Sequence, residues 1–315
     1  GGEVTPPATD PDEGSTTDPT QGTAKPSEVQ KGAYLGCLEV PSVALRSTTA
    51  EVKTGASYYG RQYEFATTNS DQTVVVMQYD DYNSTSGTST GVWYRNYTML
   101  YDNAMLSPRW VAYSLSNWHF PLAESLGRRS WDANPSTTLE QYSGSYQESS
   151  TYDRGHMLAN MMRNNCSSNS QKQTFLHPNQ IPQVNTFNQG KWVTLENKEN
   201  AWRSECDTMY VVTGPIFDNG YHTTLDTNGK KIPVATRCFK AMIKCNWLNG
   251  ELSEVKGIGF IMDNVANDNV KPYTQAYTSI EEIEEACGFT LFVNLPSQFL
   301  SAKQNSTPSN FTTNW

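Results

Sequence analysis

One stretch of the chain carries a histidine, an arginine, an asparagine and a glutamate at a spacing that could build a hydrolytic site. Asp153, Arg154, Gly155 and His156 are contiguous, Asn188 follows His156 by 32 residues, and Glu196 lies eight further on. A neutral imidazole can take a proton from water near pH 7. The guanidinium of Arg154 presents forked donors to a phosphate. The amide oxygen of Asn188 and the carboxylate of Glu196 are hard donors of the kind Mg²⁺ favours. A base, a phosphate clamp and an oxygen site for a divalent ion are the parts needed to hydrolyse a phosphodiester.

Helical geometry separates the roles of the last two residues. With 188–203 as a helix, Trp192, Leu195 and Trp202 fall within about 40° of Asn188 and form a buried stripe. Asn188 then opens the helix at its core-facing edge. Glu196 stands about 12 Å along the axis and about 80° round. From there it is placed to hold the waters of an ion bound by Asn188 rather than to share in binding the ion itself.

The elements that must position these residues are mostly strands. VPSVAL, SYYGRQYEFATT and QTVVVMQYDD read as strands broken by Gly, Ser, Thr and Asn turns. VWYRNYTMLYD (92–102) and RWVAYSLS (109–116) alternate enough to share a sheet, and 117–152 reads as polar loop. MYVVTGPIF (209–217), IPVATRCFKAMIKC (232–245) and KGIGFIMDN (256–264) read as further strands. SIEEIEEACG (279–288) predicts a helix with Ser279 as N-cap and Gly288 as its stop. Strands and helices without a regular βαβα rhythm point to an α+β fold. The expected organisation is a tether over 1–30, a small β-rich N-terminal segment over 31–91, a main domain over 92–300 and a tail over 301–315.

Taken together, the motifs make the chain similar to the DNA/RNA non-specific endonuclease family of the ββα-metal (His-Me finger) superfamily. Its hallmark is Asp-Arg-Gly-His followed by a helix that begins with a metal-binding Asn. PNQIPQ (178–183) and FNQGKWVTLE (187–196) match the family's runs in order and spacing, and the likeness extends over roughly 93–296. It implies a central, mostly antiparallel sheet flanked by helices, and a Mg²⁺-dependent endonuclease (Mn²⁺ or another divalent ion could serve) that cuts DNA and RNA with little sequence preference and leaves 5′-phosphates. By the same resemblance His156 is the general base and Asn188 the protein ligand of the ion. Glu196 holds metal-bound waters, Arg154 lies near the phosphate, Asp153 braces the loop, and Asn179 supports the histidine or the metal shell. The family's upstream phosphate-stabilising Arg falls in GRRSWDANP, where Arg129 is the best match and Arg128 stands beside it. A reading of another class is a secreted binding protein on a catalytically silent nuclease fold, with 31–91 as the recognising element. The complete His156, Asn188, Glu196 and Arg set speaks against it.

Charge at first opposes a nucleic-acid partner: 23 Lys and Arg against 32 Asp and Glu give −9 over 315 residues. Residues 1–30 hold six acids and one base, so −5 of that total belongs to a Pro-, Thr- and Gly-rich opening with too few apolar side chains to order itself. This segment resembles the stalk behind the lipidated Cys of bacterial lipoproteins, a Cys absent here, and predicts a secreted or extracytoplasmic protein tethered to an outer membrane. Across 109–163 five Arg balance five acids, which leaves room for a locally positive cleft. No run approaches the roughly 18 apolar residues of a membrane span. The even count of six cysteines suits an oxidising compartment without establishing one. Cys238 and Cys245, seven apart on one predicted strand, face opposite sides about 23 Å apart, too far for a bridge. No Cys/His grouping suggests zinc.

Overall fold

The computed structural model describes residues 35–83, 88–266, 272–305 and 315. The predicted 1–30 tether lies outside them. In chain order the elements are β1 (Glu51–Gly55), β2 (Gly60–Ala66), β3 (Gln72–Asn83), β4 (Thr88–Asp102), β5 (Ser107–Leu115), β6 (Tyr152–His156), α1 (Ser168–Thr174) and β7 (Gln180–Val184). There follow α2 (Asn185–Phe187), a π turn over Asn188–Trp192, α3 (Val193–Trp202), β8 (Thr208–Ile216), β9 (Thr223–Leu225), β10 (Lys231–Pro233), β11 (Arg237–Leu248), β12 (Glu251–Asp263), β13 (Tyr277–Thr278) and α4 (Ile280–Cys287). Nine strands form one antiparallel sheet in the order β1-β2-β3-β4-β5-β8-β11-β12-β13. Two short antiparallel pairs, β6 with β7 and β9 with β10, stand apart from it. Among the described residues no helix is long and apolar enough to cross a membrane.

Because successive side chains of a strand point to opposite faces, the sheet has a buried layer on each side. On one face Val75, Met77, Tyr97, Met99, Val111, Tyr113 and Met242 pack against Met157, Ile181, Trp192 and Leu195 of the segment that carries the motif residues. On the other, Val74, Val76, Leu100, Trp110, Val212, Phe239 and Ile243 pack against α4 and the chain around 35–45. Ser279 caps α4 by accepting from Glu282 N at 3.0 Å, and Gly288 ends it at φ 81°. Gly259 of β12 lets α4 approach closely, since a Cβ there would sit 2.6 Å from the Ile283 Cδ1.

Three expectations change. VPSVAL is a mostly buried segment rather than a strand: Ser42 N bonds Thr290 O, only Leu45 makes an isolated bridge, to Thr67, and Pro41 cannot donate to a ladder. The boundary drawn at 91/92 falls inside β4, and β1, β2 and β3 continue the main sheet from its edge. The expected tail at 301 begins inside a packed 3₁₀ helix, Ser297–Gln304, where Lys303 is buried and bonds Glu284 at 2.7 Å. The six cysteines are all described and buried, and no disulfide joins any of them. Cys238 and Cys245 lie in the two different cores, as their separation on one strand requires.

Candidate active site

The motif Asp-Arg-Gly-His forms the end of β6, which pairs with β7 in the register Asp153↔Gln183, Arg154↔Pro182, Gly155↔Ile181 and His156↔Gln180. Gly155 leaves room for the buried Gln183 side chain, whose Oε1 would lie 2.2 Å from a Cβ at this position. The β6–β7 pair is fastened to the end of β12 by Asn264, whose side chain accepts from Val184 N at 2.8 Å and donates to Pro182 O at 3.3 Å. From β7 the chain turns directly into α2, the π turn and α3, which gives the sequence strand, strand, helix around the motif.

His156 is gripped by aromatic rings. Trp131 lies 4.3 Å away between centroids and Phe175 lies 4.7 Å away, edge-on. The His156 Nε2 is buried and has no hydrogen-bond partner among the described residues. Burial, with the charges of Arg128 and Arg154, pushes the imidazole pKa down to about 3. The ring is therefore neutral at any ordinary pH, with an unoccupied nitrogen able to receive a proton. Below it, Asn179 is fully buried and works on the backbone: it accepts from Leu158 N at 3.0 Å and donates to Leu158 O and Thr174 O. It supports the turn that follows His156 through these bonds.

Asn188 is joined to the histidine strand by Asp153, whose Oδ2 accepts from the Asn188 Nδ2 at 3.0 Å and from the Gln189 Nε2 at 2.7 Å. That bond fixes the carboxamide and leaves its oxygen as the donor available to a metal. Asn188 does not open the helix as expected: the helical run begins at Asn185, and Asn188 begins the π turn. A π turn takes up one residue more than an α turn. Eight residues then rotate about as far as seven would in a plain α-helix, which brings Glu196 to within about 20° of Asn188 instead of 80°. Glu196 is buried, and burial outweighs the nearby Lys240 in pushing its pKa up to about 7. The buried stripe holds, with Trp192, Leu195 and Trp202 all in the core.

The two neighbouring arginines separate. Arg129 donates to the Gln171 Oε1 at 3.2 Å and the Ser168 Oγ at 2.9 Å, both at α1. Arg128 lies 5.5 Å over the Phe175 ring and, unlike Arg129, acts on His156. Arg154 is exposed and acts on His156 from its own strand. Of the five arginines counted across 109–163, two are removed from the site. Arg163 is buried against Asn96 and Ser114, and Arg109 pairs with Asp102.

Residues with no motif complete the site. Trp131, in the loop before β6, stacks on His156, and the buried pair Lys240–Glu199, 2.6 Å apart, lies under Trp192 with Tyr113 donating to Glu199. A lysine at an inward position of the apolar strand RCFKAMIKC was the one available signal for that pair. Among the described residues no three His, Cys, Asp or Glu are grouped to hold a metal. The donor set fits a hard divalent ion held by one neutral amide oxygen and water, with a carboxylate behind it on the same side of the helix.

The sequence profile of the DNA/RNA non-specific endonuclease family matches residues 78–298. Human mitochondrial endonuclease G is 27% identical over 218 residues, covering 66% of this chain and 71% of that protein. Nuclease C1 of Cunninghamella echinulata var. echinulata is 31% identical over 166 residues, covering 50% and 62%. The matched stretches span from about half to seven tenths of these curated relatives' own length. A solved structure of an EndoG/EndoGI complex superposes with a TM-score of 0.53 at 21% identity, over 67% of this chain and 87% of that one, which shows a shared fold.

Proposed function

Because the chain belongs to the DNA/RNA non-specific endonuclease family, we propose that it hydrolyses phosphodiester bonds of both DNA and RNA with a divalent cation, Mg²⁺ in the first instance. The observation that carries this reading is His156: a neutral histidine with an unpartnered Nε2, clamped between Trp131 and Phe175, on the strand whose Asp153 orients Asn188. Asn188 would hold the ion through its carboxamide oxygen, and Glu196 would hold the ion's waters. When bound, such an ion supplies positive charge beside the phosphate and lowers the pKa of its own water.

The protein's own groups do the rest. His156 accepts the proton of the attacking water, and its depressed pKa keeps it in the accepting form. Arg128 and Arg154 stand where negative charge grows on the phosphate. Arg128 takes the part expected of Arg129 at the scissile phosphate, because its charge and not that of Arg129 bears on His156. Because these groups address phosphate and not base edges, sequence preference is slight, and the products carry 5′-phosphates.

Purified protein incubated with supercoiled plasmid and with RNA, in Mg²⁺ or in EDTA, tests the reading. Both nucleic acids are cut only with metal, and His156→Ala lowers the rate by about 10²–10⁴-fold, the usual worth of a general base. A His156→Ala variant as fast as wild type would remove the mechanism, and no cleavage under any divalent metal would remove the function.

A further inference from the structure

An open pocket is lined by Tyr59, Arg128, Arg129, Ser130, Asp132 and Lys172, and the charge of its Arg128 also bears on His156. Among the described residues none of its three cations is ion-paired. Arg129 bonds only neutral partners, Arg128 faces the Phe175 ring, and the Lys172 Nζ sits 5.3 Å over the Tyr59 ring. The single carboxylate, Asp132, accepts from the Tyr59 hydroxyl at 2.6 Å. The pocket is therefore strongly positive, with an aromatic wall and a short, fixed link to the site, since Asp132 follows Trp131, the ring stacked on His156.

Tyr59 comes from the turn between β1 and β2, ahead of the 78–298 family match. The turn is firmly seated. Tyr59 has φ 56°, and Gly60 has φ 153° with the Gln78 O only 2.1 Å from where a Cβ would be. Gln173 of α1 donates to Gln78 O at 2.8 Å and to Tyr58 O at 3.3 Å, so the residue next to Lys172 locks the turn to the helix. The hairpin also braces the Trp131 loop: the Gln62 Oε1 accepts from the Asn134 Nδ2 at 2.6 Å, and Glu64 accepts from Ser136 at 2.8 Å.

We propose that Tyr59, Lys172 and Arg129 form a second nucleotide subsite, in which the two cations take the phosphodiester next to the scissile one and the Tyr59 ring stacks on its base or sugar. The inference rests on the nuclease reading for the identity of the ligand. Cations with no carboxylate partner bind phosphate at little desolvation cost, and an aromatic face adds affinity without reading sequence. The N-terminal strands thereby extend the substrate track beyond the catalytic phosphate.

Fluorescence anisotropy of a labelled thymidine dodecamer, with EDTA present so that nothing is cut, tests it. Lys172→Gln weakens binding about tenfold and reduces the slope of log affinity against log salt by about 0.7, the value for one phosphate contact on a single strand. Tyr59→Leu weakens binding by a similar factor, whereas Tyr59→Phe, which keeps the ring and loses only the Asp132 bond, stays within twofold of wild type. Thermal unfolding of each variant confirms that the fold is kept. Unchanged affinity and salt slope in Lys172→Gln overturn the subsite, and so does a Phe variant as weak as the Leu variant. The measurement needs no catalysis. Failure of the nuclease reading would show separately, as an intact plasmid in Mg²⁺.

Discussion

Strand β11 shows in eight residues how the two faces of the sheet differ. Cys238, Lys240, Met242 and Lys244 point to the face that carries the site, and Phe239, Ala241, Ile243 and Cys245 point to the other. The second set meets aliphatic and aromatic side chains of α4 and the 35–45 segment, so apolar burial holds that layer together. The first set includes a fully buried lysine bonded to Glu199 of α3. The same face carries Arg163 on Asn96, Asn179 on the backbone after His156, and the Gln62–Asn134 and Glu64–Ser136 bonds. Apolar contact is non-directional, but hydrogen bonds fix distance and angle. The catalytic face uses many directional bonds where loops and a broken helix must be held in register, whereas the opposite face is mainly apolar and carries fewer of them, among them Lys303 on Glu284 of α4 and the buried Arg95–Glu39 pair.

Cutting one directional bond is the sharpest way to break that contrast. Lys240→Met leaves the Glu199 carboxylate buried without its cation, and such an orphaned charge costs about 3–5 kcal/mol. Urea unfolding is expected to show that loss, and Lys240→Met combined with Glu199→Leu to recover most of it, since a packed apolar pair replaces the ion pair. A single variant that loses less than about 1 kcal/mol would mean that the pair does not hold α3 to the sheet. On the opposite face, Ile283→Ala removes a fully buried side chain of α4 and is expected to cost about 3 kcal/mol. Plasmid cleavage per folded molecule should be unchanged there, because no motif residue touches α4. A fall in specific activity would show that the two faces are coupled through the sheet.

How far these features could be read from the sequence depends on how local they are. The α4 caps, Ser279 and Gly288, act within one turn of their own residues, and the helix was found to the residue. The stripe Trp192, Leu195 and Trp202 is periodic and survives, but the phase of Glu196 does not, because a π turn leaves no mark in the periodicity of so short a segment. Arg128 and Arg129 are adjacent in sequence, and only the contacts with Phe175 and with α1 tell them apart. The main-sheet membership of β1, β2 and β3 depends on pairing across the chain, and the part played by Tyr59 depends on a helix more than a hundred residues away. No pattern in 31–91 alone contains that partner.

The site's electrostatics add a pH-dependent difference between the faces. In the unfolded chain His156 binds a proton below about pH 6.5, whereas in the native protein it does so only near 3. Between those values acid favours unfolding, so stability should fall as pH is lowered through that window. His156→Asn removes this linkage. Its unfolding free energy should change less steeply over the same range, by up to one proton, or about 1.4 kcal/mol per pH unit. Equal slopes in wild type and variant would show that the ring is solvated and titrates normally, which would weaken its assignment as a base held neutral before it accepts a proton.

The smallest expected effect belongs to the opposite face. Ser279 accepts from Glu282 N and satisfies one backbone donor at the start of α4. Ser279→Ala removes that acceptor and is expected to cost about 1 kcal/mol. Ser279→Asp should restore the cap and add a favourable charge at the helix N-terminus, although Glu281 and Glu282 already crowd the first turn with like charge, so its gain over serine should be a few tenths of a kcal/mol at most. Both variants should cut plasmid at the wild-type rate, because the cap fixes one end of a helix that packs on the face of the sheet away from the site. A change of more than about twofold in that rate would place α4 among the elements that tune the site, and the division between a positioned face and a packed face would have to be redrawn along β12, the strand on which α4 rests.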